Sequence, residues 1–175
     1  VPSGGPLVVQ LGDGSSFTVD LSAADSNGDG TLSPDEVARA INQETNNKGK
    51  VNAALMTVGG QTQLVLTSGS TGTAGQITLD TSGLPASALK NALDNGQDLV
   101  PARDAIFWLG DQNTGMKIQQ SSNTFTGIQG VSVTFTLAMQ AGASPITLTV
   151  ARDNSGTAAN VRSLVDAYNT LKKSL

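Results

Sequence analysis

The 175-residue sequence contains no histidine and no cysteine. Without these residue types the chain cannot form a Ser-His-Asp triad, a Cys-His pair, the usual zinc and haem sites or a disulfide. Aromatic residues are also scarce, at 3% of the chain. A carbohydrate-cleaving cleft needs paired carboxylates among aromatic side chains, so it is disfavoured as well. These absences predict that the protein is not an enzyme.

The sequence also lacks clusters of basic residues and long apolar runs. Ten Lys and Arg residues stand against fourteen Asp and Glu residues, for a formal net charge of −4, and the basic residues are scattered. Binding to the phosphate backbone of a nucleic acid would require basic residues clustered on one surface. No apolar run reaches the ~18 residues that a membrane-spanning helix needs. The composition thus predicts no nucleic-acid partner and no membrane partner.

Strand and helix signals alternate over the first 98 residues. Two pairs of segments with strand-like apolar patterns flank glycine-containing turns: 7–11 with 17–21, and 51–58 with 63–67. Each pair predicts a β-hairpin. Between the pairs, Ser33-Pro34-Asp35-Glu36 is a capping box with proline at the first helical position, which predicts the start of a helix. With a further strand at Ile77 and Leu79 and a short helix over 86–93, residues 1–98 are predicted to form an α+β unit.

Strand signals dominate the part that follows. The predicted strands cover residues 105–109, 116–120, 131–137 and 146–150. Residues 81–100 are rich in glycine, proline and asparagine and mark the boundary. These patterns predict an all-β domain over residues 99–154. The glycine-rich segment 69–75 lacks the Lys-Ser or Lys-Thr of a phosphate-binding loop, and it predicts a flexible hairpin loop instead.

The last residues, 155–175, predict a helix with an apolar stripe. Apolar residues recur there at spacings of three and four: Val161, Leu164, Tyr168, Leu171 and Leu175. This spacing suits the start of a coiled coil and equally a helix packed on its own domain. Over so short a stretch, the heptad period of a coiled coil and the period of an ordinary α-helix are nearly the same. The chain opens at Val1 and stops within this pattern without a signal peptide, so we expect it to be a fragment of a longer protein.

An acidic segment, residues 25–36, has the spacing of an EF-hand calcium loop. The predicted ligands occupy positions 1, 3, 5, 7 and 12 of that loop: Asp25, Asn27, Asp29, the carbonyl of Thr31, and Glu36. Gly30 at position 6 provides the sharp turn. The alternative interpretation is an acidic turn before a helix start, which explains Ser33 and Glu36 but not the alternating residues before them. We predict a structural Ca²⁺ bound with a Kd of about 10⁻⁴ to 10⁻³ M, although no helix precedes the loop.

Two stretches of the sequence resemble a known family. Within residues 5–80, Ala40-Ile41-Asn42 and Val51-Asn52-Ala53 are similar to the flagellin hook IN motif of bacterial flagellar proteins. Further on, Ser121-Ser122-Asn123-Thr124 and Asp166-Ala167-Tyr168-Asn169 resemble the head region of flagellar filament cap proteins, the hook-associated protein 2 family. Together the two stretches cover most of the chain in the family's order.

The resemblance implies a structural protein that is not an enzyme. Such cap proteins are exported unfolded and assemble as a ring of subunits at the filament tip, where they help flagellin fold and insert. The implied fold is α+β to mainly β, with two small β-rich head domains followed by the start of a coiled-coil leg helix. The implied partners are flagellin and further copies of the chain, and the implied location is secreted, at the tip of the bacterial flagellum.

The calcium loop gains no support from this resemblance, because the family does not generally carry it. The alternative function is a secreted calcium-dependent adhesin or host-binding β module. Binding of host mucin or glycans stays open for both functions.

Overall fold

The predicted α+β to mainly β fold is the fold of the structure, a computed structural model that describes residues 4–112, 114–140, 142–151 and 155–174. Contacts divide the chain into two units, Val1–Ala138 and Met139–Leu175. The predicted boundary near residue 98 lies inside the first of these units. The division into domains at 98 and 154 stays a prediction.

The described residues of the first unit form small antiparallel sheets and two short helices. In chain order its elements are β1 (Pro6–Leu11), β2 (Ser16–Asp20), α1 (Pro34–Gln43), β3 (Val51–Val58), β4 (Gln61–Ser68), β5 (Ile77–Asp80), α2 (Ala88–Asp94), β6 (Ala105–Leu109), β7 (Met116–Gln120), β8 (Thr124–Ile128) and β9 (Val131–Thr134). Single 3₁₀ turns lie at Leu21–Ala23 and Thr73–Gly75. One sheet has the strand order β2-β1-β5, and the remaining described strands pair as the ribbons β3-β4, β6-β7 and β8-β9.

The core of this unit lies between one face of α1 and the strands that it covers. Alternation places Leu7, Val9 and Leu11 of β1 on one buried face, and Val37 and Ile41, one turn apart on α1, are fully buried. The same cluster takes in buried residues of β2 and β3: Phe17, Val19, Val51 and Ala53. Each fully buried aliphatic side chain of this kind contributes roughly 1.5–3 kcal/mol to folding. Helix and strands therefore depend on one another for stability.

Two asparagine side chains fasten the end of α1 to β3. The Asn42 side chain accepts a hydrogen bond from the backbone N–H of Ala53 (2.9 Å) and donates one to its carbonyl (2.7 Å). The buried Asn47 side chain makes the same pair with Val51, at 2.9 and 2.8 Å, and also donates to the carbonyl of Ile41 (2.9 Å). These amides bond alternate residues of β3 in the way that a neighbouring strand would.

The later strands are joined by three phenylalanines. Phe107 of β6 meets Phe125 of β8 edge-to-face, with ring centroids 5.1 Å apart, and lies 4.6 Å from the ring of Phe135, which directly follows β9. Aromatic pairs of this geometry contribute about 0.5–1.5 kcal/mol beyond the area that they bury. The trio therefore connects the ribbon β6-β7 to the ribbon β8-β9.

Several details of the sequence prediction are wrong in this part of the chain. Strand β8 was not predicted, because Gly127 and polar neighbours interrupt its apolar alternation. The predicted strand 131–137 ends at Thr134, and residues 146–150 form no strand. Segment 69–75 is not a hairpin loop, because it joins β4 to β5 and these strands lie in different sheets.

The second unit contains one helix, α3 (Ser155–Ser174), in its described residues. The predicted stripe on α3 is present, and its four described members are between 56% and 71% exposed: Val161, Leu164, Tyr168 and Leu171. The fifth, Leu175, lies outside the described residues. No helix in the described part of the chain has the length and apolar character needed to cross a membrane.

The contacts of Asn47 generate a stability prediction. We expect Asn47→Ala to lower the free energy of unfolding by roughly 2–3 kcal/mol, because it leaves buried backbone groups of Ile41 and Val51 without partners. The matched control is Asn46→Ala, which removes the exposed neighbouring amide and is expected to change stability by about 0.5 kcal/mol or less. Urea unfolding followed by circular dichroism measures both. Equal losses in the two variants would contradict the assigned role.

Candidate functional site

The predicted calcium loop lies between the 3₁₀ turn Leu21–Ala23 and the first turn of α1. Ser33 caps this helix, since its hydroxyl accepts a hydrogen bond from the backbone N–H of Glu36 (3.3 Å). The Glu36 carboxylate in turn accepts from the backbone N–H of Ser33 (3.0 Å). The capping box predicted from the sequence is therefore confirmed, and it fixes the position of the Glu36 side chain.

The acidic side chains at the start of the loop bond the loop's own backbone. The two carboxylate oxygens of Asp25 accept hydrogen bonds from the backbone N–H groups of Gly28 (2.7 Å) and Gly30 (2.8 Å). The side-chain oxygen Oδ1 of Asn27 accepts a hydrogen bond from the backbone N–H of Asp29 (2.9 Å). Gly30 has a φ of 81°, which a residue with a side chain rarely adopts. The predicted sharp turn at position 6 is thus present.

Asp29 holds the next part of the loop. Its Oδ1 accepts from both the hydroxyl (2.7 Å) and the backbone N–H (2.8 Å) of Thr31, and its Oδ2 accepts from the Asn27 side chain (3.0 Å). These hydrogen bonds, the Thr31 hydroxyl first among them, hold the pKa of Asp29 below its ordinary value. The loop is thereby folded into a defined shape by its own acidic residues.

Glu36 is a buried carboxylate whose oxygens are both occupied. Its side chain is 3% exposed, and besides Ser33 it accepts hydrogen bonds from the backbone N–H (2.8 Å) and hydroxyl (3.0 Å) of Ser26. The backbone donors of Ser33 and Ser26, followed by the Ser33 hydroxyl, lower the pKa of Glu36 to about 2. Glu36 therefore ties the beginning of the loop to the beginning of α1.

The structure brings the predicted ligands onto one loop but not around one point. Asp25, Asn27 and Asp29 face the backbone of the loop, while the carboxylate of Glu36 faces two serines. Across the described residues, no three acidic side chains come close enough together to hold a metal ion. In this arrangement the loop stabilises itself through hydrogen bonds.

A cavity of about 320 Å³ opens beside the loop, and Ser26, Glu36 and Arg39 contribute to its lining. Arg39 donates a hydrogen bond to the Ser26 hydroxyl (2.9 Å) and forms an ion pair with Asp35, one turn earlier on α1. The roles of Ser26 and Arg39 were not predicted from the sequence, because the loop motif assigns no residue type to the position of Ser26 and because Arg39 lies outside the loop, on α1. Within this lining, the Ser26 hydroxyl donates to Glu36 and accepts from Arg39, and these bonds hold the start of the loop against α1.

The position of Glu36 generates a prediction about pH. The pKa of Glu36 lies at about 2, against an ordinary value of 4.5, so its stabilising effect is complete above pH 4.5 and is lost as the pH falls toward 2. We expect the urea midpoint to fall over that interval, and to fall less in Glu36→Gln. Glu44→Gln, at the other end of α1, is the control and should keep the full acid dependence. An unchanged acid dependence in Glu36→Gln would contradict the assignment.

Comparison with known proteins identifies the family. A family model described as the C-terminus of flagellar hook-associated protein 2 matches residues 102–175. The chain is 38% identical over 172 residues to a lateral flagellar hook-associated protein 2 of Vibrio parahaemolyticus. This match covers 98% of the present chain and 38% of the relative. It is also 47% identical over 60 residues to a B-type flagellar hook-associated protein 2 of Pseudomonas aeruginosa. This second match covers 34% of the present chain and 12% of that relative.

A solved structure agrees with the sequence comparisons. The crystal structure of FliD (HAP2) from Pseudomonas aeruginosa matches with a TM-score of 0.63 and 30% identity, over 99% of this chain and 77% of that chain. The chain spans less than two fifths of the length of the curated relatives that it matches. The likeness of residues 5–80 to the flagellin hook IN motif stays a prediction. Together these matches show that the chain belongs to the flagellar hook-associated protein 2 family.

Proposed function

We propose that this chain is the head region of a flagellar filament cap, a structural protein at the filament tip that assists the folding and insertion of flagellin. The observation that carries the proposal is membership of the flagellar hook-associated protein 2 family. The matched relatives are named as flagellar hook-associated proteins. Because the chain spans 38% of the lateral relative, the activity proposed here belongs to the longer protein.

The proposed partners are flagellin and further copies of the same protein, arranged as a ring. The family is one of structural proteins rather than enzymes. The proposed location is outside the cell, at the tip of the filament. A calcium-dependent adhesin, and binding of host mucin or glycans, stay predictions that no observation in the structure favours.

Helix α3 supports a coiled-coil leg in the longer protein. Val161, Leu164, Tyr168 and Leu171 form an apolar stripe at heptad spacing on this helix, and all four are more than half exposed. An isolated 20-residue helix gains little stability from propensity alone, so its apolar face favours packing against a second helix. The interpretation as the start of a coiled coil is therefore the one that we propose.

The coiled-coil proposal generates a prediction about assembly. In the full-length protein, Leu164→Asp combined with Leu171→Asp should abolish the ring, because it places two charges in an apolar helix interface. We expect the unsubstituted full-length protein to sediment as a large closed oligomer, and the 175-residue chain alone to sediment as a monomer or weak oligomer. Sedimentation velocity measures all three.

The matched control for assembly adds the same two charges away from the stripe. Ser163→Asp combined with Thr170→Asp occupies the adjoining face of α3, and it should leave the ring intact. A full-length protein that stays monomeric would contradict the cap proposal. A ring that survives Leu164→Asp with Leu171→Asp would show instead that contacts between heads drive assembly.

We also propose that the loop at residues 25–36 binds one structural calcium ion. The proposed ligands are those at loop positions 1, 3, 5, 7 and 12: Asp25, Asn27, Asp29, the carbonyl of Thr31, and Glu36. Support comes from this spacing and from the left-handed turn at Gly30. An ion would also relieve the repulsion among the three carboxylates, which includes the effect of Glu36 on Asp29.

Calcium would have to compete with the hydrogen bonds that the loop already makes. To reach the ion, Glu36 would exchange its hydrogen bonds from Ser26 and Ser33 for metal ligation. That exchange reduces the net gain from binding, because a satisfied buried carboxylate is costly to move. The proposed affinity is accordingly low, with a Kd of about 10⁻⁴ to 10⁻³ M, in the range of extracellular modules.

Thermal unfolding in the presence of calcium tests the proposed ion. At a calcium concentration about tenfold above a Kd of ~1 mM, the native state gains about 1.4 kcal/mol, and the melting temperature should rise by roughly 3–6 °C. Asp25→Asn and Asp29→Asn should each remove the shift, since they delete a ligand charge while keeping an acceptor oxygen for the loop backbone.

The control for the calcium experiment lies within the same loop. Asp35 occupies position 11, which supplies no ligand, so Asp35→Asn should keep the full shift. Magnesium at the same concentration should give a smaller shift, because it requires a tighter octahedral site. A melting temperature that does not respond to calcium, or a response that survives Asp25→Asn and Asp29→Asn, would leave the loop as an acidic turn closed by Glu36.

A further inference from the structure

We infer that the carboxylate of Asp104 is a latch that holds the ribbon β6-β7 in one orientation against the sheet β2-β1-β5. Asp104, the ribbon and the sheet all lie in the first unit. The carboxylate contacts the turn Thr73–Gly75, which the sequence predicted to be part of a flexible loop.

Three hydrogen bonds converge on Asp104. Its Oδ1 accepts from the backbone N–H (2.8 Å) and the hydroxyl (3.1 Å) of Thr73, which lies 31 residues earlier in the chain. Its Oδ2 accepts from the side-chain amide of Gln119 on β7 (2.9 Å). Because β6 begins at the next residue, Ala105, one side chain joins the turn to both strands of the ribbon.

The turn is fastened to the sheet at its other end. The backbone N–H of Gly12, directly after β1, donates a hydrogen bond to the carbonyl of Gln76 (2.9 Å), and β5 begins at Ile77. Within the turn, Gly75 and Gln76 donate to the carbonyls of Gly72 and Thr73 at 3.0 and 3.2 Å. A continuous series of hydrogen bonds therefore leads from the sheet through the turn to Asp104.

Gly72 allows the turn to lie directly against the end of β7. Its φ is 72°, and a Cβ atom placed there would lie 2.6 Å from the Cα and Cβ atoms of Ser121. Side-chain atoms do not approach a backbone so closely, so this position requires glycine for two independent reasons. Close packing of this kind is not a feature of a loop that moves freely.

The covalent connection between the two parts could not fix the orientation by itself. Residues 95–104, between α2 and β6, form no helix or strand, and Leu99 and Val100 are exposed. Two of the hydrogen bonds at Asp104 come from Thr73, before this connection, and the third joins Asp104, the last residue of the connection, to Gln119 on β7. The Gln119 and Thr73 donors also hold the pKa of Asp104 below its ordinary value, which keeps the carboxylate charged.

Removal of the carboxylate should release the ribbon without unfolding the sheet. We expect Asp104→Ala to speed hydrogen exchange at the Thr73 and Gly75 amides by about tenfold or more, with little change at Val9 in the sheet. Asp104→Asn keeps an acceptor for Thr73, and the Gln119 amide can turn to meet it, so exchange should stay near the parent rate. The control is Asp98→Ala, which removes an exposed carboxylate of the connecting segment.

A distance measurement tests the orientation itself. Because the chain contains no cysteine, Ser16→Cys on β2 and Lys117→Cys on β7 would carry spin labels at two defined and exposed sites. We expect the distribution of distances between these labels to broaden in Asp104→Ala and to keep its width in Asp98→Ala and Asp104→Asn.

Several results would overturn the latch. One is an unchanged distance distribution in Asp104→Ala, and another is exchange that rises equally at Thr73 and Val9, which would mean general destabilisation. If Asp104→Ala does not fold, Thr73→Val decides the question, since it removes the hydroxyl hydrogen bond between the turn and Asp104. It should then broaden the distribution by a smaller amount, and no broadening would refute the latch.

Discussion

Burial of one face of α1 is the interaction on which the first half of the chain depends. The sheet β2-β1-β5 and the hairpin β3-β4 both bury apolar side chains in the cluster that contains Val37 and Ile41. A two-stranded hairpin is at best marginally stable alone in water, so β3-β4 requires the helix. The helix is fixed at its first turn by Glu36, and at its end by Asn42 and Asn47. Its position is therefore set at both ends by polar contacts and in the middle by apolar ones.

The sequence predicted most elements of the first half of the fold and two of its hairpins, but not the pairing of strands that lie far apart in the chain. The start of α1 at Pro34 is encoded by neighbouring residues, since the capping box and the proline act within one turn. The hairpins β1-β2 and β3-β4 follow from apolar patterns on either side of a glycine turn. The pairing of β1 with β5 is encoded nowhere near either strand, because it follows from the shared core. For that reason segment 69–75 was wrongly predicted to be a hairpin loop.

In the acidic loop, too, the sequence predicted the features set by neighbouring residues but not the contacts set by the conformation of the loop. Its spacing identifies Asp25, Asn27 and Asp29 as residues that act together, and the structure places each of them on the loop backbone. The hydrogen-bond partners of Glu36 could not be predicted in this way. Ser26 reaches Glu36 only because the loop folds back on itself, and residue spacing does not specify that conformation. Likewise the stripe on α3 was readable from the sequence, since heptad spacing needs no tertiary context.

The asparagine contacts at the end of α1 also bear on the order of folding. Asn47 contacts Val51 four residues away, and Asn42 contacts Ala53 eleven residues away. The sheet, in contrast, pairs Val9 with Leu79. Loop-closure entropy rises with the length of chain enclosed, so α1 and β3 meet at a much lower entropic cost than β1 and β5 do. We therefore expect the contacts between the end of α1 and β3 to form on a faster time scale than the pairing of β5 with β1 at the edge of the sheet.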